Sequence, residues 1–509
     1  MIEKMKRRNV ITQLLIFLAI ILVVNLISEQ MFFRLDFTSD KQYTLSQATK
    51  DLLGELNDVI TITAYYSEDL PPQLVKSRKD FVDLLVEYEN RSNGNIVYEF
   101  INPNKSEEDE MKAQQAGISP IMVNVRERDQ VKQMRAYMGV IMQMGDKQEV
   151  VPVIQPGSGM EYSLTTAIKK LSLIDKPKIA FIQGHGEPSP NASVQLLQQL
   201  SILYDIEPYT ITDTAEIPKY YKTLVIIDPK DTIPEDHIRK IDNYLSTGGA
   251  VYIAYSNLEG NLNNAYLQAG PDIGLKSWLV GKGISMNDFY IVDANCGAVT
   301  VRQQQGPFVI NSQVQFPYFP IITNFSDHPA SQGLESVILP FVSSITYTLQ
   351  DSTVNIMPLA FTSENSGVIS PPAYVDINKD WNENDFRDGQ QVIAIAAEGP
   401  LAGTGNSKMV LIPNGKFALN GEGQQQQQVN EDNVNLATNA IDWLSDDTGL
   451  IDLRTKGVTN RPLDQLEDSE KTLIKYGNVV IPIILILVIG FIRKQRYSAK
   501  KQKWIQGNY

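Results

Sequence analysis

The 509-residue chain contains one cysteine and three histidines. A single thiol cannot form an intramolecular disulfide, so packing alone must hold the fold together. The three histidines lie far apart and have no cysteine or histidine neighbours at metal-ligand spacing, so we expect no metal and no cofactor. The sequence also lacks the pattern G-x-x-x-x-G-K-S/T, which excludes a nucleotide site of the Walker A type.

Basic residues are too few for a surface that binds nucleic acid. The chain has 45 Lys and Arg against 59 Asp and Glu, which gives a net charge of −14. Phosphate backbones are bound by clustered cations, so we expect no nucleic-acid partner. Hydrophobic residues make up 43% of the chain, which is enough for a sizeable core, and the length indicates two or three domains.

Charged residues are also missing from two apolar runs, at 10–28 and 476–492. A membrane-spanning helix needs about 20 mostly apolar residues. Basic residues precede the first run and follow the second, and such flanks normally face the cytoplasm. We therefore predict one transmembrane helix at each end, two cytoplasmic termini, a bacterial inner-membrane location and a large periplasmic domain. The alternatives are a cleaved signal peptide for the first run, although no A-x-A-like site follows it, and a buried core helix for the second.

The first part of the predicted ectodomain alternates helices and strands. Ser46 is a suitable N-cap for a helix, and apolar side chains in 81–88 recur at helical spacing. Residues 59–66 and 96–101 are rich in β-forming side chains. This alternation predicts a small α/β domain over residues 30–175.

A second, larger region alternates apolar strands with amphipathic helices. The strand 178–182 precedes a helix over 192–204, and the strand 223–227 precedes a helix over 234–245. This order is typical of a doubly wound parallel sheet, like that of flavodoxin or of class I glutamine amidotransferases. The predicted fold class is therefore α/β, with this doubly wound domain, a smaller N-terminal α/β domain and one flanking transmembrane helix at each end.

The predicted organisation has seven segments. They are a basic cytoplasmic N-terminus (1–9), a transmembrane helix (10–28), the N-terminal α/β ectodomain (30–175), the larger α/β domain (176–447), a juxtamembrane segment (448–475), a second transmembrane helix (476–492) and a basic cytoplasmic tail (493–509).

Nucleophilic catalysis is the main enzymatic alternative. Amidotransferases need a cysteine on a sharp turn after a strand, activated by a histidine that a carboxylate orients. The corresponding strand of this chain ends at Tyr255-Ser256 without a cysteine, and Cys296 comes later in a turn-like sequence. No G-x-S-x-G elbow occurs, and no His-x-Glu pair follows Ser256. We interpret this region as a fold of this kind without the chemistry, so we predict that the chain is not an enzyme.

The candidate binding site is the loop Gly184-His185-Gly186-Glu187, which follows the strand 178–182. Ligands of open α/β sheets bind at the carboxyl ends of strands, and glycines let the backbone approach a ligand closely. The following helix offers free N–H groups to an anion. The alternative is a tight turn in which His185 and Glu187 make only local contacts. His328 is interpreted as a structural residue.

Several motifs, taken in order, resemble a known family. They are the apolar N-terminal run followed by Tyr43-Thr44-Leu45-Ser46, the loop Gly184-His185-Gly186-Glu187-Pro188, the segment His328-Pro329 with Ile338-Leu339-Pro340-Phe341, the late strand before Asn414-Gly415-Lys416-Phe417 with Asn439-Ala440-Ile441-Asp442-Trp443-Leu444, and the apolar C-terminal run. Together they resemble the extracytoplasmic auxiliary subunit of bacterial ABC transport systems, of the GldG gliding-motility type.

This resemblance implies a non-catalytic interaction subunit that works with a separate ABC permease and ATPase in a complex linked to gliding motility. It implies inner-membrane partners and envelope components for motility or secretion. The turn Asn414-Gly415-Lys416 is less acidic than the family leads us to expect, so the resemblance does not point to a ligand role there. The alternative functions are an extracytoplasmic ligand-binding receptor that uses the loop 184–187 and an amidotransferase-like hydrolase.

Overall fold

The structure is a computed structural model that describes Phe17, residues 44–445 and residues 475–498. Short gaps within these ranges fall at 69, 71, 128–129, 155–156, 158, 173–175, 262–264, 306–307, 349–352, 378, 424–425, 479–481, 483 and 485–486. The chain divides into two compact units, residues 1–458 and 459–509. In the second unit the described residues include a helical stretch over 487–498.

The N-terminal part of the first unit contains four helices and six strands among its described residues. They are α1 (Gln47–Gly54), β1 (Ile60–Tyr66), α2 (Pro72–Arg91), β2 (Ile96–Ile101), α3 (Glu107–Gln115), β3 (Ile121–Glu127), β4 (Gln130–Ala136), β5 (Met138–Met144), β6 (Lys147–Val151) and α4 (Gly159–Ser172), with a 3-10 turn at Pro103–Lys105.

A four-stranded sheet in the order β2-β1-β5-β6 organises this part, with β1 and β2 parallel and the other pairs antiparallel. Apolar side chains alternate along β1, where Ile60, Ile62 and Ala64 are fully buried. They pack with Phe81 of α2 and Leu164 of α4 in one core. Side chains of a strand point alternately to its two faces, and helices cover the apolar face of this one.

A buried carboxylate joins α1 to α4. Glu161 accepts hydrogen bonds from the backbone N–H of Ser46 at 2.7 Å and from the hydroxyl of Thr49 at 2.8 Å. Ser46 is the N-cap of α1, and its hydroxyl accepts from the N–H of Thr49. Tyr88 of α2 joins the network through Thr165, with 2.6 Å between the two oxygens. Such a network fixes how the three helices pack because each buried polar group needs its partner.

The next part of the chain begins with alternating strands and helices. Its elements are β7 (Lys178–Gln183), α5 (Val194–Leu200), β8 (Asp205–Thr210), β9 (Tyr221–Ile227), α6 (Glu235–Ser246) and β10 (Ala250–Ala254), with a 3-10 turn at Pro190–Ser193 before α5.

A β-rich stretch follows. Its elements are β11 (Leu258–Asn261), β12 (Tyr266–Ala269), α7 (Leu275–Val280), β13 (Ile284–Met286), β14 (Tyr290–Asp293), β15 (Cys296–Gln305), β16 (Phe308–Ile322), β17 (Asn324–Phe325), β18 (Val337–Ile338), β19 (Ile345–Tyr347), β20 (Asn355–Phe361), β21 (Ser366–Ile369), β22 (Ala373–Tyr374), a 3-10 turn (Glu383–Phe386), β23 (Val392–Gly399), β24 (Ser407–Ile412) and α8 (Glu431–Ser445).

The main sheet has eight strands in the order β17-β20-β23-β24-β10-β9-β7-β8. The strands from β24 to β8 are parallel, whereas β17, β20 and β23 add antiparallel pairs at one side. On the central strand β10, Tyr252 is fully buried and lies between Val225 of β9 and Val410 of β24.

Helices cover both faces of this sheet. Leu196 of α5 packs with Val434 of α8 in one core, and Ile241 of α6 packs with Leu279 of α7 in the other. Both faces of the central strands are therefore buried, which explains why these strands are continuous apolar runs rather than alternating ones.

The predicted fold class is wrong in its sheet architecture. Instead of one parallel sheet, the main sheet is mixed, and the described residues also form five small sheets of two or three strands. Residues 400–406 join β23 directly to β24, and a connection this short permits only an antiparallel pair. Much of the added β-structure lies in residues 258–399, where short strands alternate with loops and the sequence has no clear periodicity.

The prediction of a transmembrane helix at each end, with a two-span inner-membrane location, is also corrected. Within the part of the chain that the structure describes, no helix is long and apolar enough to cross a bilayer. Of the predicted spans, 10–28 lies outside the described residues except for Phe17, and 476–492 is described only in part.

Candidate functional site

The loop 184–187 lies where the winding of the parallel strands reverses. Strand β7 is paired with both β8 and β9. The helix after β7, α5, belongs to one core, whereas the helix after β9, α6, belongs to the core on the opposite face. The helices that follow β7 and β9 therefore leave this edge on opposite faces of the sheet, and such reversal points are the usual ligand positions in open α/β sheets.

Two glycines shape the loop. Gly184 and Gly186 have φ values of +110° and +74°, which favour glycine. A Cβ on Gly186 would lie 2.9 Å from Oδ2 of Asp231 and 3.0 Å from Cβ of Lys230. The glycine therefore lets the β7 loop pack directly against the loop that follows β9.

His185 is buried and both of its ring nitrogens have protein partners. Its Nδ1 lies 3.0 Å from Oε1 of Glu187, and its Nε2 lies 2.9 Å from Nδ1 of His237 on α6. The other ring nitrogen of His237 lies 3.1 Å from Oδ1 of Asp213, which follows β8. The result is a chain of four titratable groups that begins at Glu187 in the interior and ends at Asp213 on the surface.

The protons that the three contacts between these four side chains require can be counted. A hydrogen bond at each of the three contacts requires three N–H groups, because ionised carboxylates only accept. Two neutral imidazoles supply two N–H groups, so complete bonding requires one doubly protonated ring.

The loop also fixes the segment after β9. The carbonyl oxygen of His185 accepts hydrogen bonds from the backbone N–H groups of Lys230 and Asp231, both at 2.9 Å. The ammonium group of Lys230 lies 2.7 Å from Oδ1 of Asp228, a buried residue with a φ of +48°. The candidate loop thus supports the position of Lys230 through the backbone.

Ser256, and not a cysteine, follows β10 at the position where an amidotransferase carries its nucleophile. The hydroxyl of Ser256, just after β10, accepts a hydrogen bond from the N–H of Gly415 at 2.9 Å. Cys296 lies at the start of β15, and burial, reinforced by the charge of Asp293, raises the pKa of its thiol. A raised pKa disfavours the reactive thiolate.

A cavity of about 490 Å³ opens beside these strand ends. Its polar side chains include Lys230, Ser256, Glu259, Asn414 and Lys416. Its wall is otherwise mostly apolar, formed by Leu258, Ile338, Pro340, Phe341, Phe417, Leu419 and Val429.

The four predicted site residues form one turn after β7. Through His185 this turn contacts the segment after β9 and the helix α6. Residues 184–187 are not among those that line the cavity. Sequence reasoning missed the partners His237 and Asp213 and the cavity residue Lys230, and it expected no ligand role for the turn that contains Lys416. Among the described residues, no group of three or more His, Cys, Asp and Glu side chains could hold a metal ion.

His328 lies away from this loop and is buried against Trp443 of α8, with ring centroids 4.8 Å apart. Its Nδ1 accepts a hydrogen bond from the N–H of Ala330. Burial, reinforced by the charge of Lys408, lowers the pKa of His328 to about 4. The ring is therefore neutral near pH 7 and packs as a core residue.

Comparison with known sequences gives two family matches. A family model described as "ABC-type uncharacterized transport system" matches residues 176–446, and a model for a domain of unknown function matches residues 39–143. An uncharacterized protein of Borreliella burgdorferi is 23% identical over 519 residues, which cover 96% of this chain and 98% of that protein.

Comparison with solved structures gives distant likenesses. The mmIFT52 N-terminal domain matches 53% of this chain and 97% of its own length, at 12% identity and a TM-score of 0.35. PurLQS from Thermotoga maritima matches 53% of this chain and 99% of its own length, at 10% identity and a TM-score of 0.25. Scores this low support no conclusion about function.

Proposed function

Because the chain belongs to the ABC-type uncharacterized transport system family, we propose that it is a non-catalytic auxiliary subunit of an ABC transport complex. The family name implies partner permease and ATPase components. Since the chain itself has no Walker A sequence, ATP hydrolysis would come from a separate subunit. Its own contribution would be to hold components together or to present a binding surface.

The observation that carries the non-catalytic proposal is the environment of His185. A general base must reach the proton that it abstracts, but both ring nitrogens of His185 are already paired inside the protein. The side chain of His185 is 4% exposed, so its surroundings also leave little access to a substrate. This arrangement favours a structural role for the loop 184–187 over either a receptor loop or a hydrolase site.

The proposed partners are a multispanning ABC permease and a nucleotide-binding ATPase. The association with gliding motility is a narrower proposal, supported by the sequence motifs that resemble the GldG type. A cell that lacks this chain should then lose or slow its surface gliding, and re-expression of the full chain should restore it. Normal gliding in the deletion strain would remove the motility association while leaving the transport role open.

Co-purification tests the main proposal. The full chain, tagged and expressed in its own organism, should bring down a permease and an ATPase after detergent extraction, as identified by mass spectrometry. Cys296→Ser should leave both recoveries unchanged, because a non-catalytic subunit does not need a thiol nucleophile. Recovery of the chain without either component would contradict the proposal.

A further inference from the structure

The cavity of about 490 Å³ has the position and size of a small-molecule site. It borders the carboxyl ends of the parallel strands β10 and β24, where Ser256 and Asn414 contribute to its wall. Ligand sites in proteins commonly occupy roughly 300–1,000 Å³, and open α/β sheets place them at this edge.

One side of the cavity is apolar. Phe417 and Leu258 are buried, and Phe341 extends the surface with an aromatic ring. The ring of Phe341 is held by neighbouring aromatic rings, including that of Phe316 at a centroid distance of 6.2 Å. Gly260 makes room for it, since a Cβ there would come within 2.3 Å of the ring. This wall can bury the hydrocarbon part of a ligand.

The polar side of the cavity is rich in hydrogen-bond donors. Within the described residues, the ammonium group of Lys416 has no partner, whereas that of Lys230 pairs with Asp228. The hydroxyl of Ser256 accepts from Gly415 and so keeps its own proton for another acceptor. Glu259 also lines the cavity, but one of its carboxylate oxygens already accepts from Gln268 at 2.8 Å. The cavity therefore offers two cations and a hydroxyl donor to an acceptor group.

Two of the four non-glycine residues with a positive φ among those described lie in the wall of this cavity or beside it. Phe341 in its wall has a φ of +55°, and Asp228, the partner of Lys230, has a φ of +48°. Such conformations cost a non-glycine residue energy, and they cluster at sites that bind ligands. Close packing holds them, because a Cβ on Gly415 would lie 2.3 Å from Oδ1 of Asp228.

We propose that this cavity binds a small organic acid, with its hydrocarbon part against Phe341 and Phe417 and its anionic group at Lys416 and Lys230. The site differs from the loop 184–187, whose role is to hold Lys230 in place through the carbonyl of His185. It adds a ligand to the proposed auxiliary subunit, but binding requires neither the permease nor the ATPase. Binding and co-purification can therefore fail independently.

A matched series of probes tests the chemistry on the purified full chain by isothermal titration calorimetry. Octanoate carries both an anion and a hydrocarbon tail, octanol lacks the charge, octylammonium reverses it, and acetate lacks the tail. Octanoate should bind with a Kd lower than that of octanol by about two- to fivefold, the range of a partly exposed ion pair. Octylammonium should bind more weakly than octanol, and acetate should show no saturable binding.

Variants then locate the site. Lys416→Gln should weaken octanoate binding by about two- to fivefold and leave octanol unchanged, whereas Lys416→Arg should keep most of the affinity. Lys105→Gln is the matched control, since it removes the same charge from an exposed residue of the N-terminal part. Both positions have exposed side chains, so the three variants should fold like the parent chain.

Three results would overturn the proposal. They are equal affinities for octanoate and octanol, unchanged octanoate binding in Lys416→Gln, and an equal loss in Lys105→Gln. Vesicles of phosphatidylcholine with and without phosphatidylglycerol distinguish a lipid from a free acid. Sedimentation of the chain with the anionic vesicles, abolished by Lys416→Gln, would replace the free acid by a lipid headgroup and overturn the proposed ligand class.

Discussion

Nε2 of His185 lies 2.9 Å from Nδ1 of His237, so that two imidazole rings link a buried carboxylate to an exposed one. The side chain of Glu187 is 1% exposed and that of Asp213 is 84% exposed. A buried charge without a partner is costly, whereas an exposed one is solvated by water. The energetic importance of the contacts should therefore fall from Glu187 towards Asp213.

The first prediction concerns this gradient. His185→Ala removes the side-chain partner of buried Glu187 and should lower the free energy of unfolding by about 1–3 kcal/mol. Asp213→Ala removes only the exposed contact of this series, between Asp213 and His237, and should cost less than about 1 kcal/mol. Urea denaturation of the two variants beside the parent chain measures both. Equal losses would show that the four groups do not form the graded chain described above.

The parallel strands could be predicted from sequence because each is a short apolar run followed by a helix with a clear apolar face. The strand predicted at 178–182 is β7, and the helix predicted over 234–245 is α6 within one residue at either end. The antiparallel strands β17, β20 and β23 and the small sheets were missed. Their pairing depends on hairpins and tertiary contacts, which leave no strong period in the sequence.

The candidate site was only partly predictable for a similar reason. The glycines around His185 identified a special turn, because two glycines beside a histidine after an apolar strand indicate unusual backbone geometry. The partner His237 lies 52 residues away in sequence, and only the winding of β7 and β9 brings it to the loop. The cavity could not be predicted, since its residues come from loops that are far apart along the chain.

The second prediction concerns the buried carboxylate of the N-terminal part. Thr49→Val keeps the volume of a fully buried side chain but removes the hydroxyl that donates to Glu161 at 2.8 Å. We expect a loss of about 1–3 kcal/mol in the free energy of unfolding, because Glu161 is 5% exposed and water cannot replace the donor. Urea denaturation measures the loss.

Gln47→Ala on the same helix is the control for this variant. Its side chain bonds to Asp51 on the exposed surface, so the change should stay within about 0.5 kcal/mol of the parent chain. If Thr49→Val is no more harmful than Gln47→Ala, the network does not stabilise the packing of α1 against α4.

The third prediction is a pH dependence due to His328. Burial lowers the pKa of its ring from the usual 6.5 to about 4, so between these values the unfolded chain binds more protons than the folded one. Stability therefore rises with pH across this window. The contribution of His328 is fully present above pH 6.5 and is lost as the pH falls towards 4. Its slope can reach at most about 1.4 kcal/mol per pH unit.

His328→Asn isolates this contribution, because the amide oxygen can replace Nδ1 as the acceptor for the N–H of Ala330. The variant should be less stable near pH 7, since it loses the contact with the Trp443 ring, and the difference from the parent chain should shrink as the pH falls from 6.5 to 4.5. The measurement is the free energy of unfolding in urea at several pH values. A difference that is constant over this range would show that the ring is not kept neutral by burial.

The last prediction concerns the single thiol. Burial, reinforced by Asp293, raises the pKa of Cys296, so at pH 7.5 the folded chain should contain less thiolate than the unfolded chain and should react more slowly with iodoacetamide. Restricted access would also slow the reaction, but access alone does not change the pH at which the rate reaches half of its maximum. The rate is therefore measured against pH for the folded chain and for the chain in urea, with Cys296→Ser as the blank. A midpoint for the folded chain equal to that of the unfolded chain would contradict the pKa shift. A lower midpoint would indicate an activated cysteine and would contradict the non-catalytic proposal as well.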